Sequence, residues 1–240
     1  TGTSYGNGQT VINLSSGDGT FVTLYAQWEA NGYAISYNKN AGDDASGSMA
    51  DQNMIYDKKA KLSKNAFTRT GYTWTGWNIL PDGSGTGYSD QQEVMNLSKA
   101  SSGKVILYAQ WKINSYKVTF TDGNGSTLSE QNVDYGKSAT APAQPGKTGY
   151  TFDRWDKRFD RVTENLTVNA VWRANNYVIR YDGNASSGLH GSMSDQQAAY
   201  DSSIALNGNA FSRTGYTWQG WNTRADGSGS SFSDKQTVRN

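Results

Sequence analysis

Between Tyr116 and Trp172 the apolar side chains come in short alternating runs separated by polar turns. In YKVTF (Tyr116–Phe120) aromatic and β-branched residues alternate with others, which predicts a strand. DGNG (Asp122–Gly125) follows as a hairpin turn, because Gly and Asn tolerate the positive φ of a tight turn. LSEQNVDY (Leu128–Tyr135) reads as the return strand. The next stretch, GKSATAPAQPGKTG, crosses over, and Pro142 and Pro145 prevent a regular long helix there. YTFDRW (Tyr150–Trp155) and LTVNAVW (Leu166–Trp172) supply a third and a fourth strand. Strand, hairpin, strand, crossover, strand, strand suits a small mixed sheet with the crossover laid over one face.

The same order returns in longer form on either side. Asn31–Asn96 recurs without a gap at Asn175–Asn240, offset by 144, with 35 of 66 positions identical. FTRTGYTWTGWN (Phe67–Asn78) becomes FSRTGYTWQGWN (Phe211–Asn222), and the shorter copy has GYTFDRW (Gly149–Trp155). LYAQW closes units at Leu24–Trp28 and Leu107–Trp111, and VNAVW does so at Val168–Trp172. Such self-similarity marks an array of one supersecondary unit. Residues 1–30 are expected to be the end of a long repeat, 31–112 a complete long repeat, 113–173 a short repeat, and 174–240 a long repeat without its closing strand. Tyr33, Tyr116 and Tyr177 should share one structural position, and Trp77, Trp155 and Trp221 another.

From the central to the closing tryptophan the long repeat takes 34 residues (Trp77 to Trp111) and the short one 17 (Trp155 to Trp172). The extra material, which includes DGSGTGYSDQQ (Asp82–Gln92), is expected to form an added ribbon or loop beside the third strand. Loops on a rigid sheet commonly carry binding, so this is the first place to look for function.

At GYTWTGWN, DGSGTGYSD and LYAQW the chain resembles the Listeria–Bacteroides repeat family, which includes the B repeat of bacterial internalins, over essentially its whole length. The resemblance implies tandem repeats of secreted or cell-surface, cell-wall-associated bacterial proteins, with roles in adhesion, spacing and, in some members, glycosaminoglycan or host-surface binding. It also implies a β-grasp (ubiquitin-like) unit. The expected fold class is therefore α+β, rich in β, as small β-grasp modules in an elongated array. The short repeat departs from the motif with Arg154 where the long repeats have glycine before the second tryptophan.

Composition narrows the chemistry. Eight Trp, fifteen Tyr and seven Phe give small repeats enough buried area for a core. A net charge of +1 offers no electrostatic case for nucleic acid. No apolar run reaches the roughly 18 residues of a membrane span. Without cysteine there are no disulfides and no thiolate zinc sites. The single histidine, His190, has no clustered partners, and no nucleophile elbow or phosphate loop is present. No cofactor, metal or catalytic residue is expected, and the chain reads as a non-enzyme.

Trp74 and Trp77 stand three apart, as do Trp218 and Trp221. On a regular strand that spacing points the two to opposite faces. Trp77, Trp155 and Trp221 are accordingly assigned to cores, with the closing Trp28, Trp111 and Trp172. Trp74 and Trp218 are left outward, as platforms for a sugar ring or as covers for a loop. Arg69 and Arg213 precede TGYTW, with Lys147 at the matching place, and could line an anionic glycan groove or pair with a local carboxylate. Lys58, Lys59, Lys61 and Lys64 have no basic counterparts in the second long repeat and read as a solvated face. The DGSG and DGNG runs could be calcium loops, but Glu93 is the only further acid near the right distance in the first long repeat and Thr237 replaces it in the second, so they read as turns. Asp51 and Asp57 recur as Asp195 and Asp201 and read as turn residues near strand ends.

Two functions follow: a spacer or stalk in a surface adhesin, and a carbohydrate-binding array. Partners would be a host or neighbouring-cell surface protein or glycan. A head-to-tail contact is also expected, in which Thr20–Trp28 adds as a strand to the open sheet of the last repeat of a neighbouring molecule.

Overall fold

The computed structural model describes residues 2–239. Their regular structure is β throughout; the only helical element is one 3-10 turn at Gly42–Asp44. This corrects the α+β, β-grasp expectation. The crossovers are extended chain for a physical reason. In the first long repeat Leu62 and Phe67 are both buried, and five residues is a spacing that would put them on different sides of an α-helix. In the short repeat the two prolines sit in the crossover, where Ala139 and Ala141 reach the core.

The described chain divides into two compact units: residues 2–70 with Trp74–Lys112, and Gly71–Thr73 with residues 113–239. The first unit opens with a segment that forms no strand. Thr20–Trp28 is exposed, with Phe21 at 99% and Trp28 at 92%. The expected core position for Trp28 is therefore not found. A lone strand has neither a ladder for its backbone groups nor a second apolar layer to cover its side chains.

From Gly32 onward the first unit is a five-stranded sheet. Its opening strand, Gly32–Asn38, runs antiparallel to the return strand Gln52–Ile55 and parallel to the closing strand Gly103–Ile113. The third strand, Tyr72–Asn78, lies on the far side of the closing strand, and Gly87–Tyr88 pairs outside it. Period-two alternation places Tyr33, Ile35 and Tyr37 on the core face. They meet Met54, Leu62, Phe67, Trp77, Val94, Leu107 and Ala109. Trp77, 1% exposed, is ringed by Tyr37 at 4.8 Å, Trp74 at 5.3 Å and Phe67 at 5.9 Å between centroids.

Trp74 therefore touches Trp77 rather than facing away from it. Gly76 takes a φ of +149° between them, and this break in the pleat cancels the parity that puts residues three apart on opposite faces. Gly220, at +139°, does the same between Trp218 and Trp221, whose rings lie 5.4 Å apart. The short repeat reaches a similar arrangement by a register shift between Phe152 and Arg154 opposite Val171 and Trp172, with Phe152 and Trp155 5.1 Å apart.

In the second unit the short repeat forms a four-stranded sheet. Ser115–Thr121 lies between Thr127–Asp134, antiparallel, and Leu166–Ala174, parallel; Tyr150–Trp155 flanks the latter. Val118, Phe120, Val133, Ala139, Val162 and Val168 are its core. Trp155 is half-buried here, unlike Trp77, because no ribbon strand pairs beside it. The second long repeat has Asn176–Ile179 paired with Gln196–Ala199, and Trp221–Asn222 with Ser231–Phe232. Among the described residues no strand bridges these pairs, and Ile179 and Trp221 are half-buried where Ile35 and Trp77 are closed off. One residue, Asn175, separates the closing strand of the short repeat from the opening strand that follows.

Candidate binding surface

The GYT corners and the ribbon loops hold most of the residues singled out from sequence. Arg69 and Arg213 lie on two-residue strands, Thr68–Arg69 and Ser212–Arg213, paired with Ala45–Ser46 and Leu189–His190. The Arg69 side chain is 19% exposed and meets Asp44 at 3.4 Å. Arg213 lies over the ring of Tyr216, 3.9 Å from its centroid, and Lys147 lies over Tyr150 at 4.3 Å. The basic residue before each of these two corners therefore covers an aromatic face. Trp74 is half-buried against the core, whereas Trp218 is 37% and Tyr216 66% exposed. The geometry thus leaves an aromatic surface on the second long repeat and a mostly covered one on the first.

The ribbon loop is organised by Asn78, 5% exposed, which sequence reading passed over. Its Nδ2 donates to the carbonyls of Gly83 and Gly85, both at 2.9 Å, and its Oδ1 accepts from Leu80 and Gly85 N–H. Asn222 repeats this with Gly227 and Gly229, and with the N–H groups of Arg224 and Gly229. The signal was available as a shared Asn directly after the second tryptophan. Asp82 and Asp226 spend their carboxylates within the turn, each accepting from the N–H and the hydroxyl of a serine two residues on. Those bonds hold both carboxyls below the ordinary 3.8. Among the described residues no group of three or more His, Cys, Asp or Glu could hold a metal.

Beside this loop, Trp77, Asn78, Tyr88, Ser89, Gln92 and Gln110 line a shallow cavity of about 310 Å³. Its amides are already engaged: Gln92 accepts from Ser89 N–H, and Gln110 donates to the Tyr108 carbonyl. Such a wall can hydrogen-bond a neutral polar ligand and carries no acid–base pair. Several of the remaining polar candidates have structural partners. Asp51 accepts from Ser36 at 2.5 Å and meets Lys104 at 3.4 Å, Asp195 meets Arg180, Lys59 meets Glu93, and His190 lies 3.4 Å from the Thr214 hydroxyl.

A second group escaped sequence reading. Gln52, Gln131 and Gln196, one on each return strand, clamp the crossovers. Gln131 donates to the Thr140 carbonyl at 2.7 Å and accepts from its N–H at 3.0 Å. Gln52 donates to the Lys61 carbonyl and Gln196 to that of Ala205, both at 2.8 Å.

Comparison with known proteins adds the context for this geometry. The family model of the Listeria-Bacteroides repeat domain matches residues 33–110, 116–173 and 177–240. Two proteins of Evansella cellulosilytica are similar over about nine-tenths of the chain. One, provisionally named a membrane protein, is 34% identical over 232 residues, and the other, provisionally named a Gly-rich membrane protein, is 31% identical over 233. The matched regions amount to 32% and 26% of those relatives, so the chain spans only about a third or less of their length. Internalin H of Listeria monocytogenes is 40% identical over 88 residues, which is 37% of this chain and 15% of that protein.

Proposed function

Because this chain belongs to the Listeria-Bacteroides repeat domain family, we propose that it is a non-enzymatic spacer within a bacterial surface protein, holding another domain away from the cell envelope. The observation that carries this reading is the single-residue connector at Asn175, flanked by the strands Leu166–Ala174 and Asn176–Ile179. A connector of one residue leaves no slack between consecutive repeats, which is what a spacer requires and a flexible tether lacks. The likeness to Internalin H and to two proteins named for the membrane supports an envelope location. The test places the chain between a wall anchor and a reporter domain on a bacterial surface. Removing repeats one at a time should progressively reduce antibody access to the reporter through a polysaccharide layer. Access independent of repeat number would count against the spacer.

A glycan-binding role is the second reading, favoured by one observation: Tyr216 and Trp218 are both exposed on the second long repeat. A glycan array probed with the full chain and with Trp218→Ala tests it; binding unchanged by the substitution removes its best residue. Self-association through Thr20–Trp28, whose apolar side chains stand in solvent, belongs to the same proposal. Sedimentation at rising concentration, with Tyr25→Asp as the control, checks it.

A further inference from the structure

Gly149, Tyr150 and Thr151 form a corner of the short repeat that meets the connector and the second long repeat. Asn175, the connector, donates its N–H to the Gly149 carbonyl at 2.9 Å, and its side-chain oxygen accepts from the Thr151 hydroxyl at 2.6 Å. The Asn175 carbonyl accepts from the N–H of Tyr200, which follows the return strand of the next repeat, at 2.8 Å. The Tyr200 ring then stands edge to face with Tyr150 at 5.6 Å. It lies so close to Gly149 (φ +77°) that a Cβ there would overlap the ring. Finally the Tyr150 hydroxyl donates to Asp201 at 3.2 Å, and Arg239 holds the other carboxylate oxygen at 2.9 Å.

The arrangement recurs within the same unit. Asn114 donates to the Gly71 carbonyl at 2.9 Å, accepts from Thr73 at 2.6 Å and, through its carbonyl, from Tyr135 at 2.8 Å, while Gly71, also at +77°, has the Tyr135 ring where its Cβ would be. Gly215 has the same backbone, φ +80°, and nothing within 4 Å of its missing Cβ. The glycine is thus doubly required where a tyrosine arrives, and required by its dihedral alone where none does.

We propose that the Gly-Tyr-Thr corner is a docking socket whose partner is the tyrosine that ends the return strand of a following repeat, with the connector asparagine as its latch. The motif then serves assembly of one repeat on the next, and the short repeat and the second long repeat move as one body. This goes beyond the spacer reading, which needs short connectors but no specific socket.

The test uses the full chain with spin labels at exposed strand positions Thr167 and Gln197, one in each repeat. The distance distribution between them should be narrow. Gly149→Ala should broaden it, and Tyr200→Ala, which removes the ring with no backbone strain, should broaden it as well. Gly215→Ala, a change at the same dihedral with no ring opposite, should leave it narrow. A narrow distribution in Tyr200→Ala would overturn the socket, as would equal broadening in Gly215→Ala. Should Gly149→Ala fail to fold, Tyr200→Ala and Gly215→Ala decide the question between them. A narrow distribution in the parent chain with both outcomes as expected would hold even if the chain proved not to act as a spacer.

Discussion

Gly76 lies against the carbonyl oxygen of Tyr88, and a Cβ at Gly76 would stand 2.9 Å from it. Gly220 stands in the same relation to Phe232. In both long repeats a ribbon strand runs beside the third strand at this point, and only a residue without a side chain admits it. The short repeat has no ribbon, and Arg154 occupies the corresponding place with its side chain paired to Asp153. Gly76→Ala should therefore destabilise the first long repeat by about 1–3 kcal/mol through overpacking. Arg154→Gly should leave the short repeat within about 1 kcal/mol of its parent, the usual cost of glycine in a strand. Urea titrations followed by tryptophan fluorescence check both. Equal losses would show that the ribbon does not impose the glycine.

Trp77 is closed off by three aromatic rings, and its indole N–H finds no hydrogen-bond acceptor among the described residues. Its contribution is then packing and aromatic contact, offset by one unsatisfied donor. Trp77→Ala should cost about 3–5 kcal/mol, as for other large buried aromatics. Trp77→Phe should recover most of that loss, because it restores a ring without the donor. Chemical denaturation gives both values, and a Phe variant no better than Ala would contradict the reading.

Gln131 bonds both backbone groups of Thr140. Replacing it with Ala leaves those groups to water and should cost about 1–2 kcal/mol, the low end for a site only partly shielded. Hydrogen exchange at the Thr140 amide offers a local check. Its protection should fall in Gln131→Ala, while amides of the opening strand, such as Val118, change only with global stability.

Acid should weaken the fold through its turns. Asp82 and Asp226 accept from serine N–H and hydroxyl groups, and Asp122 from the N–H groups of Asn124 and Ser126; each carboxyl is held below the ordinary 3.8. A carboxyl depressed in the folded state contributes stability that is fully present above its unfolded pKa. That contribution is lost as pH falls through the folded value. Melting temperature should therefore hold steady between neutral pH and about 5, and decline below about 4. Asp82→Asn, Asp122→Asn and Asp226→Asn together should flatten that decline. A parent chain equally stable at low pH would refute the assignment.

Much of the strand order was legible from alternation. Tyr116–Phe120 lies inside the observed Ser115–Thr121, and Tyr150–Trp155 is a strand with those bounds. Alternation failed at Trp74, because parity along a strand holds only while the pleat is regular, and a glycine with positive φ interrupts it; Trp218 is exposed as expected, although its ring touches that of Trp221. Among the described residues the helical content expected from family resemblance shrinks to the turn at Gly42–Asp44, since Leu62 and Phe67 anchor an extended crossover. Gln52, Gln131 and Gln196 were invisible because a clamp acts on backbone groups, whose partners leave no trace in residue type. Trp28 carried a closing-strand signature that produced no strand, for want of neighbouring strands to pair with.

In both complete repeats the opening and closing strands are parallel neighbours: Tyr33 to Asn38 beside Gly103 to Tyr108, and Val118 to Thr121 beside Leu166 to Asn169. Tension on a chain of such repeats enters at the start of one strand and leaves at the end of the other. It loads their hydrogen bonds in shear, all together, where a hairpin pulled from its open end would unzip one bond at a time. Resistance to pulling is a matter of unfolding rate rather than of equilibrium stability. The first long repeat, with six paired positions in this clamp against four in the short repeat, should be the later of the two to yield. Pulled from its ends, the pair would lengthen in steps, the short repeat giving way while the first long repeat still holds.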